Sequence, residues 1–211
     1  MKKTAQYTTT SSYETLNELT KNTKNVWLVF HGIGYLSRFF IRYFHGLNPK
    51  ENYIICPQAP AKFYKDTNYK HVGASWLTKE DTQIETENVL NYIDAVIENE
   101  GITSKHNLIV LGYSQGVSIA SRWIGKRKRQ AEKLICVSGV FPVELKAEDF
   151  THCPNLKVVH SVGSNDEIFD PKNVKKQEER MLQIFPQTQF INHEFGHKLQ
   201  AGLLDTYKKN A

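Results

Sequence analysis

Serine, histidine and carboxylate side chains are the groups in this 211-residue chain whose types and spacing could do chemistry. A serine hydroxyl is a weak nucleophile until an imidazole takes its proton. That imidazole in turn needs a carboxylate to fix its tautomer and stabilise its charged form. Ser114 has the local sequence for the first role. It is the centre of Gly112-Tyr113-Ser114-Gln115-Gly116, behind the apolar run Asn107-Leu108-Ile109-Val110-Leu111 and ahead of a segment with helical spacing. A strand that breaks into a helix within one sharp turn lifts the middle residue clear of the sheet. Glycine is then required on both sides, where a side chain would strike the turn. The helix starting at Gln115 directs its positive end at the raised hydroxyl.

On such an architecture the chain order is serine, acid, histidine. Asp166, Glu167 and Asp170 compete for the acid. Asp166 is preferred, because it follows the strand ending near Val162 and the turn Gly163-Ser164-Asn165, whereas Asp170 has a sufficient role as the cap before Pro171. Of the eight histidines, His197 follows Gly196 between the last strand and the last helix, at the correct end of the sheet. His193 lies inside that strand and reads as a wall or surface residue. His160 reads as a core histidine with a satisfied ring, and His45, His71, His106 and His152 precede Asp166. The developing oxyanion needs two preorganised donors. The N–H of Gln115 is one, and the turn His31-Gly32-Ile33-Gly34 supplies the other, from Ile33. His31 itself is expected to brace that loop.

These groups need elements to hold them. Val26-Trp27-Leu28-Val29-Phe30, Tyr53-Ile54-Ile55-Cys56 and Leu134-Ile135-Cys136-Val137 are continuous apolar runs, as in strands covered on both faces, and Leu156 to Val162 reads as a further buried strand. An edge strand is expected within Tyr7 to Leu16 and a last strand over Gln189 to Phe195. Leu36, Phe39, Phe40, Tyr43, Phe44 and Leu47 form a helical stripe read as core packing. Thr78-Lys79-Glu80-Asp81 resembles a capping box, opening a helix with Ile84, Val89, Ile93, Val96 and Ile97 towards a core and Gly101 at its end. A third helix carries Val117, Ile119, Ala120, Trp123 and Ile124, and a closing helix runs from Lys198. The connection Gln58 to Leu77 shows no clear regular structure but holds Phe63, Tyr64, Tyr69 and Trp76. It is a candidate cleft wall, or a surface loop pinned by its own aromatics. Tyr35 and Phe141 join Phe63, Tyr64 and Trp76 as cleft candidates. Alternating strands and helices imply a mostly parallel sheet with helices on both faces, and a single domain over residues 1–211.

The formal charge is +5, densest at Lys126-Arg127-Lys128-Arg129. With no interleaved aromatics, that run reads as a solvated helix end complementing the dipole, and no nucleic-acid partner is expected. Cys56, Cys136 and Cys153 form no C-x-x-C pair and suit a reducing compartment. Polar residues follow Lys2-Lys3 where a signal peptide needs an apolar stretch, and no segment approaches membrane-spanning length. A soluble, cytoplasmic protein without integral membrane association is expected.

The chain resembles the phospholipase/carboxylesterase family of α/β-hydrolases, which includes the acyl-protein thioesterases. Nearly the whole sequence takes part: His31-Gly32-Ile33-Gly34, Cys56-Pro57-Gln58-Ala59-Pro60, Ser75-Trp76, Gly112 to Gly116, Ser138-Gly139, Gly163 to Asp166 and Gly196-His197, in that order. The resemblance implies a small, lid-poor α/β-hydrolase fold needing no metal or organic cofactor, with Ser114, Asp166 and His197 as its triad. It implies a small-molecule ester substrate, cleaved through an acyl-enzyme, with thioesters and lysophospholipids as further options. The chain departs from the family pattern at Tyr35-Leu36-Ser37-Arg38, at Gln58 where histidine is common, and at Leu77-Thr78. All three are expected near the cleft, which leaves substrate preference open. The alternatives are an amidase or peptidase on the same fold and a binding protein without catalysis. A monomer or homodimer suits each.

Overall fold

Strand β2 (Asn25–Phe30) is buried along its whole length and alternates between two cores. Val26, Leu28 and Phe30 face one, while Trp27 and Val29 face the other. β6 (Asn107–Tyr113) does the same with Leu108 and Val110 against Ile109, Leu111 and Tyr113. This two-residue period explains why the runs are continuously apolar: each face of the sheet is covered by helices. A computed structural model describes residues 1–209 of the chain.

Seven strands form the main sheet. β1 (Tyr13–Leu16) pairs antiparallel with β3 (Asn52–Pro57), and the other neighbours are parallel. With β7 (Lys133–Val137), β8 (Lys157–Gly163) and β9 (Gln189–His193), the spatial order is β1-β3-β2-β6-β7-β8-β9. The expected edge strand is thus present in its last four residues. One face carries α2 (Thr82–Asn99), α3 (Gln115–Arg127) and α4 (Pro171–Ile184). The other is covered by α1 (Ser37–Phe40), the 3-10 turn Ile41–Phe44 and α5 (Leu204–Lys209).

Four local expectations are corrected. The stretch Gln58–Leu77 contains a separate antiparallel hairpin, β4 (Ala61–Tyr64) with β5 (Val72–Ser75). Phe39 leaves the expected buried stripe: it is exposed beneath the guanidinium groups of Arg38 and Arg42, because the helix tightens to 3-10 geometry and turns Ile41 inward instead. The capping box at Thr78 does not form. Asp81 takes a left-handed conformation (φ 48°) with no side-chain cap, and Ile84 faces solvent. Lastly, the closing segment begins as the 3-10 turn Ala201–Leu203 rather than as a helix from Lys198. The caps at Asp170 and Gly101 form as expected: Asp170 Oδ1 accepts from the N–H of Lys172 at 2.7 Å, and Gly101 has φ +63°.

Parallel register places the strand ends on one rim. Phe30 lies opposite Gly112, Tyr113 opposite Val137, and Gly163 opposite His193. The residues that leave these ends are the ones with chemical potential.

Candidate active site

Ser114 stands between the end of β6 and the first residue of α3 with φ 52° and ψ −119°, a conformation few L-residues adopt. Holding it there costs about 1–3 kcal/mol, met by the surrounding packing. The packing is tight for a visible reason. A Cβ on Gly112 would lie 2.4 Å from Val117 Cα, and one on Gly116 would lie 2.2 Å from the carbonyl oxygen of Phe30. Both glycines are therefore required sterically, as the sequence pattern implied. The Ser114 N–H donates to the carbonyl of Val137 at 2.8 Å, which ties the elbow to β7.

His197 Nε2 lies 3.0 Å from Ser114 Oγ, and His197 Nδ1 lies 2.8 Å from Asp166 Oδ2. Three segments that are distant in sequence thus meet in one hydrogen-bonded relay. The other oxygen of Asp166 accepts from the N–H of Ile168 at 3.0 Å, which fixes the carboxylate plane. The loop bearing His197 is held from two sides. Tyr113 Oη donates to the His197 carbonyl at 2.9 Å, and a Cβ on Gly163 would lie 1.9 Å from the carbonyl oxygen of Phe195. The rings of Tyr113 and Phe169 flank the imidazole at centroid distances of 5.5 and 5.7 Å. With Asp166 accepting at Nδ1–H, Nε2 is left with a lone pair facing the hydroxyl, as a general base requires.

The glycine turn after β2 packs on this elbow: a Cβ on Gly32 would lie 3.1 Å from Ser114 Cβ. The next residue, Ile33, and the helix-leading Gln115 have amides with no backbone acceptor among the described residues. His31 braces the turn. Nδ1 bonds the carbonyl of Gly32 at 2.8 Å, and Nε2 accepts from the N–H of Ala59 at 3.1 Å. Burial lowers its pKa to about 4, partly opposed by the Gly32 carbonyl. The Gln115 side chain braces the other side, accepting from the Trp76 N–H at 2.8 Å and donating to the Leu77 carbonyl at 2.7 Å.

A cavity of about 730 Å³ opens beside Ser114 and His197. Its apolar side is Val140, Phe141, Val143, Ile168 and Phe169, and its other side is the face of α4 bearing Asn173, Lys176, Gln177 and Arg180. Among the five aromatic cleft candidates, Phe141 lines it and the other four do not. Trp76 is buried, with its indole donating to the carbonyl of His31 at 2.8 Å. Tyr35 packs edge-on against Tyr113 and Phe40. Phe63 and Tyr64 sit exposed on the hairpin, which contacts the glycine turn through Gly73 and Gly34. Gln58 is likewise buried, accepting from the N–H and hydroxyl of Ser37 rather than facing the cavity.

The α4 wall was not singled out in the sequence, because its polar face has the pattern of a solvated helix. Gln177 ties it to the loop after β7, donating to the carbonyl of Gly139 at 2.9 Å and accepting from the Phe141 N–H at 3.0 Å. Its amide also meets Nε2 of His160 at 2.8 Å; that ring is buried in the core as expected, and burial lowers its pKa to about 4. His193 is buried too, with neither ring nitrogen hydrogen-bonded among the described residues.

No curated protein matches the chain in sequence. Among solved structures, maize acyl-protein thioesterase 2 superposes with a TM-score of 0.72 at 15% identity, covering 95% of this chain and 97% of that one. A carboxylesterase from Mesorhizobium loti gives 0.71 at 13% identity, covering 94% of each chain. The Bacillus cereus carboxylesterase gives 0.66 at 14% identity, over 94% of this chain and 92% of that one. Such superpositions, at identities this low, show a shared fold and nothing further. The model of the phospholipase/carboxylesterase family matches residues 12–209, and with the fold and motif order it shows that this chain belongs to that family.

Proposed function

We propose that the protein is a serine hydrolase that cleaves carboxylic esters of small molecules through an acyl-enzyme, with the whole chain as its catalytic domain. The observation that carries this reading is the Ser114–His197–Asp166 relay, with contacts of 3.0 and 2.8 Å. In the first half-reaction His197 Nε2 takes the Ser114 proton as Oγ attacks the ester carbonyl, while Asp166 holds the ring and stabilises the imidazolium. The amides of Gln115 and Ile33 receive the oxyanion, a contribution of about 3–4 kcal/mol for each donor in related chemistry. His197 then protonates the departing alkoxide. In the second half-reaction it deprotonates a water that attacks the acyl carbonyl, and Ser114 leaves with the proton returned.

The apolar side of the cavity suits a hydrophobic portion of the ester. Ser114→Ala tests the assignment. It is expected to lower kcat on a p-nitrophenyl acyl ester by about 10⁴-fold or more while circular dichroism stays unchanged. Turnover in the variant equal to wild type would overturn the reading.

A further inference from the structure

Lys176 and Arg180 are four residues apart on α4, so their side chains lie one above the other on one helix face, and both line the cavity beside Ser114. Two cations in that relation repel each other unless an anion lies between them. Neither forms an ion pair with a carboxylate among the described residues. Glu144, on the loop opposite, is engaged by Arg122 at 2.7 Å. Asp170, which also lines the cavity, caps the first turn of the same helix, six residues before Lys176. Arg180 is held by three carbonyls. Nη1 donates to Phe141 at 3.2 Å, and Nη2 donates to Pro142 at 2.6 Å and Leu145 at 2.8 Å. A guanidinium has five N–H groups, so Nε–H and one hydrogen of Nη1 have no acceptor among the described residues. A preoriented guanidinium with spare donors, one helical turn from a second cation and facing the apolar side of the cavity, is arranged for a bound anion.

We propose that the cavity selects esters carrying an anionic group away from the scissile bond, a carboxylate or a phosphate, held by Lys176 and Arg180. This rests on the serine-hydrolase reading above and narrows it. Gln177 bonds Gly139, whose own Cβ position would meet the Ser114 carbonyl, and Arg180 follows Gln177 by three residues, about 4.5 Å along the helix. The charged group would therefore be held in the same cavity as Ser114 but apart from the reacting carbonyl, with Phe141 and Val140 lining the space between the cavity walls.

Two matched substrate pairs test this in the full-length protein. The mono-p-nitrophenyl ester of suberic acid is compared with its ω-methyl ester, and a 1-acylglycerol 3-phosphate with the 1-acylglycerol of the same chain. The first pair carries the anion on the acyl side and the second on the alcohol side. In at least one pair, kcat/KM is expected to be about tenfold higher for the charged member, mainly through KM, and the ratio to shrink as salt rises. Lys176→Gln should lower that ratio several-fold and Lys176→Glu should bring it to one or below. Lys176 is preferred over Arg180 for substitution because Arg180 also anchors the 141–145 loop. A ratio near one in both pairs, or a preference that survives Lys176→Glu, overturns the proposal. Failure of the underlying reading has a different signature: no turnover of any of the four esters and no labelling of Ser114 by a fluorophosphonate.

Discussion

At the residue scale, the strained conformation of Ser114 makes function and stability separable. Its φ of 52° favours glycine, so Ser114→Gly should abolish turnover yet melt at or above the wild-type temperature, by up to about 2–4 °C. Calorimetry beside an esterase assay checks both at once, and a large drop in Tm would show that the hydroxyl is structural. His31 and His160 give a second prediction. Both rings accept hydrogen bonds as neutral bases, and burial lowers each pKa to about 4. The unfolded chain, with an ordinary histidine pKa near 6.5, then binds more protons than the folded chain between about pH 4 and 6.5. Stability must therefore rise with pH across that window, and it is lost as pH falls through it, by at most about 3 kcal/mol for each histidine. Denaturant melts at several pH values should show this slope, with a shallower one in His160→Gln. Much of this residue-level geometry was legible beforehand. Gly112 and Gly116 announce the elbow, and the placement of Asp166 and His197 after strand ends brings them to it. The hydrogen bonding of His160 to Gln177 was not legible, since no local pattern links residues on different elements.

At the element scale, the central strands β2, β3 and β7 were readable because burial on both faces writes an almost uninterrupted apolar run. The hairpin β4–β5 was not, because β4 is exposed at every position and so has no apolar alternation to show. Its aromatics suggested a cleft wall, yet Phe63 and Tyr64 lie on an outer element and Trp76 is committed to bracing His31. Phe39 and Ile84 were assigned to core faces by helical periodicity. A 3-10 tightening displaced the first, and the left-handed entry at Asp81 accompanies the second. Contact between β8 and the histidine loop carries a third prediction. In Gly163→Ala the new methyl would meet the Phe195 carbonyl at 1.9 Å, so the loop bearing His197 must shift. A displacement near 1 Å should lower kcat by about 100-fold with KM little changed, as steady-state kinetics on one ester can measure.

At the scale of the whole molecule, the basic run at the end of α3 is absorbed by the fold. Asp94 pairs with Arg127 and Arg129 and accepts from the Trp123 indole at 2.9 Å, while Arg129 also stacks over that ring. Asp94→Ala is thus expected to cost about 2 kcal/mol of stability, read from urea melts, without altering turnover. Engaged arginines leave little free charge for a phosphate backbone, so duplex DNA should show no retention at about 0.15 M salt. Among the described residues no helix is long and apolar enough to cross a membrane. What organises the chain is the common rim on which a parallel register gathers the ends of β2, β6, β7, β8 and β9. The most direct measurement of that arrangement is covalent labelling with a fluorophosphonate followed by peptide mass mapping. A single adduct on Ser114, slowed strongly in His197→Gln and missing from Ser114→Ala, is the expected result. An unlabelled wild-type protein, or an adduct that persists in Ser114→Ala, would contradict a nucleophile activated at this rim.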